Sequence, residues 1–266
     1  MNLFSLIFSF VFGTIIGSFL NVVALRFNTG KGVNGRSACM SCNEQLTWKE
    51  LVPVVSFLIQ KGQCKKCASK ISWQYPIIEI LSGLIALGII WYFPPISWVA
   101  GFRTFLYLLV TCILLVITIY DTRHKIIPDM LSYTFAAISF VSLFIGGASW
   151  WHVPSWSALL AGPLLALPFA LIWLVSKGQW MGLGDAKLCL GIGWLLGISG
   201  GINAVVLAFW IAAGLSVTWL LISYGKLKPR TEIPFGPYLI LGMYLVLLFG
   251  VEVIDISLIG YLFSAM

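Results

Sequence analysis

Long apolar runs dominate the chain, and short polar segments separate them. A helix needs roughly 17 to 25 mostly apolar residues to cross the core of a bilayer. The recurring runs therefore predict an all-α polytopic membrane protein with about eight transmembrane helices. We place the spans at residues 3–25, 77–93, 102–120, 131–148, 157–176, 186–200, 202–224 and 236–251.

Glycines suggest how some of these spans meet. The sixth span is short and rich in glycine, and we expect it to pair with the seventh through a turn at Gly200-Gly201. The spacing Gly13-x-x-x-Gly17 in the first span is typical of a face on which membrane helices pack. Beyond the last span, we expect residues 252–266 to form a surface helix rather than a ninth crossing.

The composition supports a membrane protein. Hydrophobic residues make up 60% of the chain and charged residues 9%, with a mean hydropathy of +0.99. A soluble domain has about 25% charged residues, so cytosolic enzymes and DNA-binding domains are excluded. The aromatic content of 15% suits the aromatic belts of membrane interfaces.

The basic residues predict the orientation of the chain. All but Arg103 of the 16 Lys and Arg residues fall in loops 26–75, 121–129, 177–187 and 225–235, which eight spans place on one side. The positive-inside rule makes that side cytoplasmic, with both termini outside. The net charge of +7 thus reflects topology and contact with the lipid bilayer. We predict no nucleic-acid partner, because the basic residues are spread over several loops.

Three segments follow from this arrangement. Residues 1–25 form the first transmembrane helix, and residues 26–76 form the one polar stretch long enough for a small cytoplasmic domain. Residues 77–266 form the remaining transmembrane domain.

Four cysteines in the polar stretch form two C-x-x-C pairs, Cys39 with Cys42 and Cys64 with Cys67. Two such pairs can supply four thiolates to one tetrahedral Zn²⁺ ion. The reducing cytoplasm argues against structural disulfides, and a redox pair is the alternative. We predict a zinc-ribbon-like insertion that the metal helps to fold, because the segment has little apolar core of its own.

Two aspartates lie at the cytoplasmic ends of predicted spans, Asp121 at the end of the third and Asp185 at the start of the sixth. Two carboxyls brought together in a partly dry site share a proton. One can then take a proton from water while the other polarises a peptide carbonyl. Gly182 and Gly184 leave room for an extended peptide to approach Asp185. The alternative is that Asp185 only caps its helix.

Two further charged residues lie near this pair. Asp129 follows Ile127-Pro128 and directly precedes the fourth span, so we expect it to act as an N-cap. Lys187 either tunes the charge of Asp185 or is an interface lysine whose ammonium reaches water. We include both residues as support for the active site.

Membrane carboxylates also occur in transporters, where they carry protons. A proton-coupled transporter that uses Asp121 and Asp185 is therefore the alternative function. It predicts charges along a route through the bilayer, whereas these carboxylates cluster at one interface.

Seven motifs together resemble the type IV prepilin peptidase family, of the GxGD class of membrane aspartyl proteases. They occur in the family's order from residue 13 to about 242. The motifs are Gly17-Ser18-Phe19-Leu20-Asn21-Val22-Val23, Arg36-Ser37, Lys61-Gly62-Gln63-Cys64-Lys65-Lys66-Cys67, Tyr75-Pro76-Ile77-Ile78-Glu79, Asp121 with Ile127-Pro128-Asp129, Gly182-Leu183-Gly184-Asp185-Ala186-Lys187-Leu188, and Ile233-Pro234-Phe235-Gly236-Pro237.

The resemblance implies an endopeptidase of the bacterial inner membrane, with Asp121 and Asp185 as the catalytic pair. Its substrates would be type IV prepilins and the related pseudopilins of type II secretion. The leader would be cut after a glycine at the cytoplasmic face. Family members with the cysteine domain often also methylate the new N-terminus with S-adenosylmethionine, and we assign Glu79 to that methyltransferase part.

Overall fold

The computed structural model describes residues 2–30, 32, 35–146, 150–222 and 233–255. Lys31, Lys226, Lys228 and Arg230, used above for topology, lie outside the described residues. Eight α-helices and no strand occur in the described part, which confirms the all-α class. The helices are α1 (Leu3–Arg26), α2 (Val55–Ile59), α3 (Gln74–Tyr92), α4 (Trp98–His124), α5 (Asp129–Ser142), α6 (Trp156–Ser176), α7 (Leu183–Ile222) and α8 (Gly236–Phe249).

Five of these helices, α1, α3, α4, α6 and α7, are long and apolar enough to cross a membrane. Helices α5 and α8 have 14 residues each, or about 21 Å at 1.5 Å per residue. Large apolar side chains remain exposed along most of the helices, as contact with lipid requires. The protein is a multi-pass membrane protein.

Helix α7 comprises the sixth and seventh predicted spans, which fold against each other. Gly197 interrupts the helix with φ 73° and ψ 179°, a conformation that glycine adopts readily. A methyl group placed on Gly201 would lie 3.6 Å from Cα of Gly193. Residues eight apart in an unbroken helix are about 12 Å apart, so the chain reverses here. The prediction of a turn at Gly200-Gly201 was wrong by three residues, because the backbone break falls on Gly197.

The segment after α8 is held by a buried side chain. Asn203 Oδ1 accepts hydrogen bonds from the backbone N–H groups of Val253 at 2.6 Å and Ile254 at 2.8 Å. Its Nδ2 donates to the carbonyl of Ile254 at 3.1 Å. Residues 250–255 are not helical, so the predicted surface helix is wrong there; residues 256–266 lie outside the described part.

The chain forms two compact units that divide between Ile119 and Tyr120. In the first unit α1 packs closely on α3. A methyl group on Gly13 would lie 2.7 Å from the carbonyl oxygen of Ser82, and one on Gly17 would lie 2.8 Å from its Cβ. The two glycines therefore form the packing face that their spacing predicts.

The second unit contains the end of α4 and helices α5 to α8. Helix α7 packs against α5, α6 and α8. A methyl group on Gly193 would lie 2.5 Å from the carbonyl oxygen of Ala161, and one on Gly162 would lie 2.7 Å from that of Leu190. The division between the units falls after Ile119, because α1 and α3 pack together and keep the polar insertion with them.

Candidate active site and metal centre

Asp121 and Asp185 both lie in the second unit. Asp121 is in the last turn of α4 and Asp185 is the third residue of α7. Asp185 is therefore inside the first turn rather than at the cap position of the alternative prediction. The two residues are only 4% and 7% exposed. Carboxylates are rarely buried unless they are paired or have a function.

The two aspartates are close enough for their negative charges to repel each other. Asp121 Oδ2 is buried and has no hydrogen-bond partner among the described residues. Gly236, the first residue of α8, lies against this oxygen, and a methyl group there would be 2.7 Å from it. A buried polar atom without a partner is costly. The backbone N–H of Gly236 also interacts with the carboxyl, so the start of α8 positions Asp121 in the site.

Ile127 packs between the start of α7, which carries Asp185, and the start of α8, which lies against Asp121. A methyl group on Gly184 would lie 2.7 Å from Cβ of Ile127, and one on Gly236 would lie 3.3 Å from its Cδ1. Gly182 differs, because a methyl group there would meet only the backbone nitrogen of Gly184, at 3.9 Å. Of the two glycines before Asp185, only Gly184 is thus required by packing.

Asp129 and Lys187 contact each other. Lys187 Nζ lies 2.5 Å from Asp129 Oδ1 and 5.0 Å from the centroid of the Tyr133 ring. The N-cap of α5 is Pro128, and Asp129 is the first residue of the helix. The expected capping role of Asp129 is therefore wrong. Its carboxylate instead pairs with Lys187 from the first turns of α7.

The four cysteines of the polar insertion converge in the first unit. The sulfurs of Cys39, Cys42, Cys64 and Cys67 all lie within 4.8 Å of one another, and those of Cys39 and Cys67 are 3.8 Å apart. Four thiolates at about 2.3 Å from one ion form a tetrahedron with edges of about 3.8 Å. The four side chains therefore fit a single tetrahedral metal ion.

The two C-x-x-C pairs have the same backbone hydrogen bonds. Each first cysteine donates its N–H to the residue five positions on and accepts from the residue four positions on, all at 2.9 Å. The residues that donate to the cysteine carbonyls, Asn43 and Ala68, have φ angles of 56° and 54°. Backbone N–H groups of Cys42 and Ser41 that donate to the Cys39 sulfur lower its pKa to about 6, which favours the thiolate that a metal binds.

Comparison with known proteins places the chain in a family. Residues 11–93 match the family described as the bacterial peptidase A24 N-terminal domain, and residues 108–217 match the type IV leader peptidase family. A protein of Aeromonas hydrophila named prepilin leader peptidase/N-methyltransferase is 30% identical over 93% of this chain and 91% of its own length. The chain belongs to the type IV leader peptidase family.

Other relatives with the same name match a similar fraction of this chain. The Bacillus subtilis protein is 29% identical over 92% of this chain and 95% of its own length. The Xanthomonas campestris protein is 28% identical over 94% of this chain and 92% of its own length. No solved structure matches the chain. Asp121 and Asp185 lie in the part matched by the type IV leader peptidase family, and the four cysteines lie in the N-terminal match.

Glu79, which lies in the N-terminal family match, is buried in the first unit. Its Oε2 accepts a hydrogen bond from the backbone N–H of Val54 at 2.7 Å, and Ser18 also bonds to its carboxyl. Val54 has φ 61°, an unusual conformation for a β-branched residue. Glu79 therefore fixes the polar insertion to α3 at a strained point of the chain.

The sequence alone did not single out Ile127 and Gly236 as site residues in this leader peptidase. Both belong to motifs that carried the family resemblance, Ile127-Pro128-Asp129 and Ile233 to Pro237. That resemblance was the available signal. Their contacts with each other depend on helix packing, which no local pattern shows.

We predict that the purified protein binds one metal ion per chain at the four cysteines. Cys64→Ser should remove most of the bound metal, because three thiolates hold such an ion less well than four. Cys112→Ser is the matched control, since Cys112 lies within α4. Metal analysis by mass spectrometry of the protein prepared under reducing conditions measures both. A metal-free wild type, or equal metal in the two variants, would contradict the prediction.

Proposed function

We propose that this protein cleaves the leader peptide from type IV prepilins and related pseudopilins after a glycine, with Asp121 and Asp185 as the catalytic pair. The observation that carries the proposal is the meeting of these two buried carboxyls in one unit. Membership of the type IV leader peptidase family supports the reaction, and the names of the relatives support the substrate class.

The proposed chemistry needs two carboxyls in different protonation states. Two such buried groups whose charges repel each other cannot both ionise easily, so one keeps its proton. The ionised carboxylate takes a proton from water, whose oxygen adds to the carbon of the scissile peptide bond. The protonated carboxyl donates to the carbonyl oxygen as negative charge develops there. When the C–N bond breaks, the carboxyl that took the proton from water gives it to the leaving amine. The other carboxylate takes back a hydroxyl proton from the intermediate, which leaves the new carboxyl group of the leader and returns the pair to its starting state.

The glycines support this chemistry by their size. Gly184 allows Ile127 to pack beside Asp185, and Gly236 leaves room beside Asp121 Oδ2. Gly182 has open space around it, which suits the approach of an extended substrate backbone. Lys187 and Asp129 support the site from its edge by holding the first turns of α7 to the start of α5.

We place the site at the cytoplasmic face of the bacterial inner membrane, with both chain termini outside. The positive-inside rule supports this orientation. A prepilin enters with its charged leader in the cytoplasm and its apolar helix in the bilayer. Its cleavage site would then meet Asp121, in the last turn of α4, and Asp185, in the first turn of α7.

We further propose that the insertion at residues 26–76 holds a structural Zn²⁺ ion and takes part in N-methylation of the cleaved product. Thiolate ligands and tetrahedral geometry favour zinc. The names of the relatives support methyl transfer, for which S-adenosylmethionine would supply the methyl group.

The described polar side chains between α1 and α3 are already engaged in hydrogen bonds. Gln74 donates to Asn21 at 3.2 Å, and Asn21 also donates to backbone carbonyls. The Glu79 carboxyl is likewise engaged, by Val54 and Ser18. We therefore assign Glu79 a positioning role, in which it holds the insertion against α3.

We expect Asp121→Asn and Asp185→Asn each to abolish leader cleavage, because an amide cannot exchange the proton that hydrolysis requires. The assay is intact mass of a type IV prepilin after incubation with purified protein. Glu252→Gln provides the same chemical change at an exposed position and should cleave normally. Cleavage that persists in both aspartate variants would exclude the aspartyl mechanism.

We expect Gly184→Ala to lower the cleavage rate about a hundredfold, because its methyl group displaces Ile127 or Asp185 and small misplacements cost that much. Gly182→Ala is the matched control in the same motif. The fold-reduction in its cleavage rate should be at least about tenfold smaller. Initial rates of prepilin cleavage compare the two. Equal losses would show that packing against Ile127 is not the reason for the glycine.

We expect Glu79→Leu to lower methyl addition by about tenfold or more while leaving leader cleavage within about threefold of wild type, because it removes the acceptor for the Val54 N–H group. Glu79→Gln keeps an accepting oxygen and should restore much of the methylation. Intact mass of the product with S-adenosylmethionine gives both activities at once. Normal methylation by Glu79→Leu would contradict the positioning role of Glu79.

A further inference from the structure

The polar insertion carries a group of exposed apolar side chains. Three of them, Val55, Leu58 and Ile59, lie on one side of α2 at helical spacing, and Ile59 is 71% exposed. Trp48, 73% exposed, and Leu51 extend the group along the preceding turns. We call these five residues the apolar face of the insertion. A small polar domain in water would not expose such a group.

The exposure does not result from loose packing of the insertion. Phe57, on the other side of α2, is buried and lies 4.9 Å from the ring of Trp73. Gly62 also lies against the Phe57 ring. The α2 helix thus has a packed side and an apolar side that no described residue covers.

The position of α2 relative to α3 determines the depth of the apolar face along the membrane helix. Val54, which directly precedes α2, donates its N–H to Glu79 at 2.7 Å. Glu79 is the sixth residue of α3, about 7.5 Å along the helix axis from its start. Because α3 is long and apolar enough to cross the membrane, this hydrogen bond holds α2 beside the first turns of a membrane helix.

The charges around the apolar face match an anionic surface. The stretch 26–75 contains eight basic residues and two acidic ones. Lys49 lies 5.5 Å from the centroid of the Trp48 ring, and Lys61 follows two residues after α2. Apolar residues flanked by lysines are the pattern of segments that bind the interface of anionic bilayers.

We propose that the apolar face of the insertion lies in the lipid headgroup region of the same bilayer that the helices cross, so that anionic phospholipid is its partner. The hydrogen bond to Glu79 brings α2 to the level of α3, and the apolar side chains enter the leaflet there while the lysines meet phosphate groups. Insertion into the leaflet fixes the height of the cysteine site above the membrane. This proposal does not depend on the peptidase activity.

The direct test uses the full-length protein in nanodiscs of phosphatidylglycerol and phosphatidylcholine. In one variant, photoreactive p-benzoylphenylalanine replaces Ile59. In a matched control it replaces Gln45, an exposed polar residue that follows the first cysteine pair. After irradiation, intact mass measures the phospholipid adduct. We expect the yield at Ile59 to be about fivefold or more that at Gln45.

Equal yields at the two positions would overturn the proposal. The proposal would also be overturned if position 59 formed its adduct with a second copy of the chain, or with added prepilin, and not with lipid. That result would indicate a protein interface. Hydrogen exchange of the unmodified protein is the second measurement. Amides of residues 55–59 should exchange more slowly in nanodiscs containing phosphatidylglycerol than in phosphatidylcholine alone, and equal exchange would contradict the proposal.

Discussion

Close contact between helix backbones at glycine positions is the constraint on which this structure depends. Lipid is as apolar as the side chains, so membrane helices gain little from the hydrophobic effect and associate through close packing at small residues. Gly13 and Gly17 bring α1 to α3, and Gly193 brings α7 to α6. The proposed active site uses the same device, since Gly184 and Gly236 admit Ile127 between the start of α7, which carries Asp185, and the start of α8, which lies against Asp121. Chemistry and packing therefore share residues here.

Much of this arrangement could be predicted from the sequence, since apolar runs of membrane length give helices almost regardless of context. The cysteine cluster also follows from spacing, because two C-x-x-C pairs form similar turns wherever they occur. The residues whose roles were predicted wrongly have partners that are distant in the chain. Asp129 has the sequence of an N-cap but pairs with Lys187, 58 residues away. The roles of Asp121 and Asp185 remain proposals, although their convergence agrees with the expectation.

Glu79 shows how a buried carboxylate can serve a domain outside the membrane. An acid at this depth is costly, yet it binds the backbone of Val54 in a conformation that valine rarely adopts. The hydrogen bond offsets part of that strain and defines where α2 begins. The four cysteines organise the other end of the same insertion. The insertion is therefore fixed at two points by different chemistry, a buried hydrogen bond to α3 and the cluster of four cysteines.

The break at Gly197 has a consequence for the biosynthesis of the protein. Segments 183–196 and 198–222 are joined by a single non-helical residue, so no polar loop has to be carried across the membrane between them. The first segment is also shorter than an ordinary membrane span and contains Asp185. Such a segment is poorly inserted alone but can enter together with its long apolar neighbour. The translocation machinery would then handle α7 as one helical hairpin, and Asp185 would enter its site together with the apolar segment that follows it.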